Sequence, residues 1–151
     1  SDCNTNTMVD CEFCKIVSGD APSSVVYQND HTLAMMTLRP MARGHILVIP
    51  KKHAASLSEM EYETGGELFE VGMKIAEALR ASEIESEGIN FWLADGEAAG
   101  QEVFHVHLHV LPRSETDGIH LEGPRLDLNR SEMDSDAEII KEQLNGDEHG
   151  F

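Results

Sequence analysis

Apolar residues along this chain fall into short runs separated by turn-forming residues, with one long stretch of helical period among them. Val25-Val26-Tyr27 and Thr32-Leu33-Ala34-Met35-Met36 are two strand-like runs, and Gln28-Asn29-Asp30-His31 between them predicts a hairpin turn with His31 solvated. Arg39-Pro40 breaks the second run, and Gly44 precedes a third, His45 to Ile49, which stops at Pro50. From Glu59 to Ser82 the pattern changes: Leu68, Val71, Ile75, Ala78 and Leu79 recur every three or four residues, which predicts a helix with one apolar face. Thr64 and Glu67 are spaced for a capping box at its start. Ile89 to Leu93 predicts a fourth strand, and the small-residue turn Asp95–Gly100 feeds a fifth, Val103 to Leu111. An irregular stretch, Pro112–Ser131, then leads to a last helix over Asp136–Leu144, with Ser135 and Glu138 as cap residues. Five strands with a long helix between the third and fourth predict an α+β domain built on an antiparallel sheet.

The fifth run is the unusual one. In Val103-Phe104-His105-Val106-His107-Leu108-His109-Val110-Leu111, histidine and apolar residues alternate at period two. A strand would put His105, His107 and His109 on one face, about 6.5–7 Å apart, and Val106, Leu108 and Val110 on the other. Three imidazoles so spaced converge on a target the size of a phosphate or a metal ion. A half-exposed strand that merely needed polar residues would use Ser, Thr or Lys instead.

Composition narrows the field. The 151 residues fit one domain with a single core, and no apolar run approaches the length of a membrane span. Residues 1–10 are polar, lack the charged-then-apolar order of a secretory signal, and are expected to form a disordered arm in which Cys3 is a free thiol. An odd count of three cysteines containing a Cys-x-x-Cys pair suits a metal site better than a disulfide framework, and a cytoplasmic location is expected. Twenty-eight acidic against eleven basic residues give a net charge of −17, which argues against a nucleic-acid surface and against anionic membranes. The carboxylates are spread from Asp2 to Glu148, denser after Glu115, which suits a chain solvated in a halophile's high-salt cytoplasm.

Taken in order, Cys11-Glu12-Phe13-Cys14-Lys15-Ile16-Val17, Gly44-His45 through Pro50-Lys51-Lys52-His53, Gly88-Ile89-Asn90, Ala99-Gly100-Gln101 and the His-φ-His-φ-His-φ-φ run from His105 to Leu111 resemble the histidine-triad (HIT) family of nucleotide hydrolases and transferases. The resemblance covers about residues 11–113, leaving 114–151 as a C-terminal extension. It implies the fold predicted above and a homodimer that joins two sheets. It implies also that His107 is a nucleophile toward an α-phosphate, that His109 contacts phosphoryl and leaving-group oxygens, and that His105 orients the site. Gln101 is placed to offer an amide donor to the phosphate, Gly100 allows close backbone approach, and the Val103 N–H is a further donor. His45 matches a histidine near the family's phosphate pocket, or is a buried histidine bonded to backbone. Leu38 is an apolar wall for a base.

Cys11 and Cys14 with His53 and His105 make two thiolates and two imidazoles, the donor set of tetrahedral structural zinc. The Cys-x-x-Cys branch of the family completes its site with the Pro-Lys-x-His histidine and the first triad histidine. The alternative is a reduced cysteine pair in the core.

Three positions depart from the family pattern. Thr37 stands where Asp or Asn grips the ribose, Ala94 where Asn or Gln lies near the phosphate, and Glu102 where Ser, Thr or Pro flanks the phosphate loop. Carboxylates at Glu102 and Asp95 repel an incoming phosphate unless they point away or are paired. The leading expectation is a phosphoramidase-like hydrolase that releases a nucleoside monophosphate through a covalent nucleotidyl-histidine. A dinucleoside polyphosphate hydrolase or nucleotidylyltransferase, a nucleotide-binding protein with little turnover, and a catalytic metal on the three histidines stand as alternatives.

Overall fold

The structure, a computed structural model, describes residues 10–145, so the expected arm and Cys3 lie outside the described residues except for Asp10. The chain forms two compact units, one up to Ile119 and one from His120. The first holds α1 (Glu12–Ser18), β1 (Val25–Gln28), β2 (Thr32–Met36), β3 (Ile46–Pro50), α2 (Tyr62–Ala81), β4 (Gly88–Trp92) and β5 (Leu108–Arg113). Its sheet has the order β1-β2-β3-β5-β4 with every neighbouring pair antiparallel. The predicted α+β class and the helix between strands three and four are therefore what the chain adopts.

The two faces of this sheet do different work. Ala34, Ile46, Val48, Val106, Leu108 and Val110 pack with Leu68, Val71, Ile75 and Leu79 of α2 in the main core. Each such buried Val or Leu contributes roughly 1.5–3 kcal/mol. α2 lies close because residue 72 is glycine: a Cβ there would meet Phe91 at 3.0 Å and Leu108 at 3.1 Å. On the opposite face Leu33, Met35, Leu47 and Ile49 pack against Cys11, Phe13 and Cys14 of the α1 region. Leu47 pairs with His109 across β3 and β5, so the histidine face is the α1 face.

Two expected starts move in this unit, those of β5 and α2. Regular β5 starts only at Leu108, because the ladder to β3 covers Val48↔Leu108 to Ile46↔Val110 and goes no further. Residues 103–107 hang instead from the segment after β3, through the Val106 N–H on the Ala54 carbonyl at 2.8 Å. The alternation survives without the ladder, since Val106 still enters the α2 core. α2 begins at Tyr62 with Glu61 as an N-cap that makes no side-chain bond, so Thr64 lies inside the first turn and the Thr64–Glu67 capping box does not form. α1 was not foreseen: seven residues are too few to show a period. Its ends are nevertheless marked, with the Cys11 side chain accepting the Cys14 N–H and Gly19 closing it at φ 87°. The hairpin turn forms as expected, with Asn29 Oδ1 accepting the His31 and Thr32 N–H groups.

The second unit carries α3 (Arg130–Asn145), which starts six residues before the predicted Asp136. Asn129 and Glu132 form the cap, each side chain accepting the other's backbone N–H at 2.9 and 3.1 Å. Ser135 and Glu138, expected as caps, lie inside the helix, where Glu138 pairs with Lys141. No helix among the described residues is long and apolar enough to cross a membrane.

Candidate active site and metal centre

At one end of the histidine run, α1 brings Cys11 and Cys14 onto one face through their i, i+3 spacing. Cys11 Sγ and Cys14 Sγ each lie 3.5 Å from His105 Nδ1, and Cys14 Sγ lies 3.2 Å from His53 Nδ1. The four ligand atoms all fall within 4.8 Å of one another. Zinc–sulfur and zinc–nitrogen bonds of about 2.3 and 2.0–2.1 Å at tetrahedral angles give sulfur–nitrogen edges of roughly 3.5 Å, so the spacing fits. The His105 ring settles which nitrogen is offered. Its Nε2 is 2.8 Å from the Pro50 carbonyl oxygen, which can only accept. Nε2 therefore carries the proton, and Nδ1 presents its lone pair to the cluster. Burial first of all pushes the His105 pKa down to about 4, so the ring is neutral, as a ligand must be.

Two residues on, His107 reverses this arrangement. Its Nδ1–H donates to the His105 carbonyl at 2.8 Å, which leaves the lone pair on Nε2. The ring is 8 % exposed and stands edge-on to Phe13, with centroids 5.2 Å apart. Burial lowers its pKa, opposed by the bond to the His105 carbonyl and by the charges of Glu12 and Glu102.

His109, 5.0 Å from His107 between ring centroids, is oriented from behind. The Met41 N–H donates to His45 Nδ1 at 3.1 Å, so the His45 proton sits on Nε2 and is donated to His109 Nδ1 at 2.9 Å. His109 is thereby left with its own proton on Nε2. Burial lowers the pKa of His45 and takes that of His109 to about 4, with the neighbouring histidines adding to the latter. His45 is thus buried with both ring nitrogens engaged, one by Met41 and one by His109.

Gln101 departs from the expected phosphate donor. Its amide nitrogen donates to the Ala55 carbonyl at 2.8 Å and the Val103 carbonyl at 3.1 Å, and its oxygen accepts the Gly96 N–H at 2.8 Å. The side chain is buried and clasps the turn closed, with both amide hydrogens committed. Gly96 and Gly100 flank that turn at φ 100° and 97°, the left-handed region that favours glycine. Asp95 Oδ1 accepts the Leu57 N–H at 3.0 Å. Thr37 Oγ1 accepts the Arg39 N–H at 3.2 Å, and Leu38 is 80 % exposed. Beside the triad, Asp10, Cys11, Glu12, Arg39, Glu102, Val103 and Phe104 line an open cavity of about 420 Å³. The Glu12–Arg39 ion pair at 3.4 Å, like the His45–His109 and Gln101–Ala55 bonds, joins residues too far apart in sequence to signal one another.

The residues 18–116 match the HIT domain, and the chain belongs to the histidine-triad family. It is 46 % identical over 112 residues to an uncharacterized HIT-like protein of Borreliella burgdorferi, covering 74 % of this chain and 81 % of that one. Over 108 residues it is 35 % identical to the adenylylsulfatase HINT3 of Arabidopsis thaliana, covering 72 % of this chain and 54 % of the relative. A zinc-bound histidine-triad protein from Mycobacterium smegmatis superposes with a TM-score of 0.72 at 41 % identity, over 91 % of this chain and 96 % of that one. With the donor set and spacing above, this makes Cys11, Cys14, His53 and His105 a structural zinc site.

Proposed function

We propose that the protein is a nucleotide hydrolase acting at an α-phosphate, phosphoramidase-like, through a covalent nucleotidyl-histidine. One observation carries this reading: two adjacent imidazoles present opposite faces of the same chemistry, a lone pair on His107 Nε2 and a proton on His109 Nε2. His107 Nε2 attacks phosphorus while the bond to the leaving group breaks. The departing atom takes that electron pair and the His109 proton. Water then attacks phosphorus, its proton returns to His109 Nε2, and the bond to His107 breaks to release a nucleoside monophosphate. His45 holds the tautomer of His109, and the Gln101 clasp holds the Gly96–Val103 turn, from which the Val103 N–H serves the phosphoryl oxygens. Zinc supplies rigidity, fixing the segment two residues ahead of the nucleophile. The plant relative's name, an adenylylsulfatase, supports chemistry at an adenylyl phosphorus.

A homodimer fits this reading. β4 is an edge strand, and Trp92 on it and Phe69 and Met73 on α2 are exposed. Pairing β4 with its two-fold copy would continue the sheet and cover those side chains. The mechanism is tested by rapid acid quench during turnover of adenosine phosphoramidate, followed by peptide mapping. An adenylyl group on the peptide at His107 is expected; a steady-state reaction with no such adduct on any histidine would overturn the covalent route.

A further inference from the structure

The walls of the cavity beside the triad are acidic in a way the proposed chemistry does not require. Asp10, Glu12 and Glu102 stand against one cation, Arg39, and Arg39 is already drawn to Glu12. The Glu102 carboxylate is exposed and makes no hydrogen bond or ion pair among the described residues. It follows directly on Gln101, whose buried amide pins the Val103 carbonyl, so the backbone on either side of Glu102 is held. Glu12 and Glu102 are also the two carboxylates whose charge is felt at His107. An unpaired negative charge held on the rim of a phosphoryl-transfer site acts differently on leaving groups of different charge. It repels a polyphosphate and attracts an ammonium, and in a partly desolvated cleft the two effects pull in opposite directions by several-fold each.

The geometry points to Glu102 as a specificity-determining residue, a charge filter that favours nucleoside monophosphate derivatives with a neutral or cationic amine as leaving group and disfavours those with an anionic phosphate chain. The inference rests on the nucleotidyl-histidine reading above. In the favoured reaction the P–N bond breaks, the amine nitrogen keeps the electron pair and takes the His109 proton, and the nucleotidyl group passes to His107. Glu102 touches none of the reacting atoms. Its carboxylate acts on the distal charge of the leaving group.

The test compares kcat/KM for two substrates: adenosine monophosphate joined through nitrogen to a diamine, whose far end is an ammonium, and a diadenosine polyphosphate. The parent protein is expected to prefer the first, and Glu102→Gln to lower the ratio of the two by about tenfold. Glu102→Asp, which keeps the charge, should restore most of the ratio, and added salt should shrink the difference between parent and Glu102→Gln. Glu12→Gln should move the ratio less, since Arg39 already offsets that charge. A ratio unchanged in Glu102→Gln, or changed equally in Glu102→Asp, overturns the charge filter. His107→Ala run beside them separates the two failures: if it turns over both substrates at the parent rate, the nucleotidyl-histidine reading itself falls.

Discussion

His105 and His107 are the same side chain two residues apart on the same face of the same segment, yet their surroundings assign them opposite tasks. At His105 the Nε2–H donates to the Pro50 carbonyl and Nδ1 turns inward to two sulfurs. At His107 the Nδ1–H donates to the His105 carbonyl and Nε2 is left with a lone pair. A single carbonyl oxygen, placed on one side of the ring or the other, separates a metal ligand from a candidate nucleophile. Role is set by the partner of the second nitrogen rather than by the motif.

Replacing each ring in turn is the strongest way to break this contrast. His107→Ala should lower kcat by three or more orders of magnitude, on the scale of nucleophile loss, while zinc content and melting temperature stay near those of the parent. His105→Ala should lose zinc and fold poorly. Equal effects of the two on metal content would erase the distinction. Zinc removal comes next. Treatment with a strong chelator should lower the melting temperature by about 10 °C or more, since the loss of several kcal/mol of metal binding moves a domain of this size by about 2–4 °C per kcal/mol. Calorimetry with and without added zinc checks this, and a chelated protein that melts unchanged would remove the metal from the stability account.

A pH profile sharpens the comparison with a smaller effect. His45, His107 and His109 all have lowered pKa values, His109 about 4, with burial as the largest cause. In the unfolded chain they take up protons near pH 6.5. The unfolded state then binds more protons than the folded one, so stability is full above pH 6.5 and falls as the pH drops from there toward 4. The acid limb of kcat/KM should likewise lie below pH 6.5, where a neutral His107 is first lost. An acid limb centred above pH 6.5 would contradict the burial of these rings.

Much of this was legible before any coordinates. The unbroken apolar runs at Thr32–Met36 and His45–Ile49 foretell β2 and β3 because both faces of those strands are buried, and the three-and-four spacing from Leu68 to Leu79 foretells α2 because one face of that helix is. The zinc ligands were legible because thiolate and imidazole are a restricted donor set. Gln101 was misjudged because an amide beside a glycine looks the same in sequence whether it faces a phosphate or two backbone carbonyls. The early start of α3 lay in a reciprocal Asn129–Glu132 cap preceding a stretch with little apolar period. The His45–His109 bond spans 64 residues, and only the antiparallel packing of β3 on β5 brings those rings together.

The tautomers themselves decide the matter most directly. Nitrogen-15 NMR of the imidazoles at pH 7.5 should show His107 protonated on Nδ1, and His45 and His109 protonated on Nε2. A His107 with its proton on Nε2 would have no lone pair to aim at phosphorus, and the account would be contradicted at its centre.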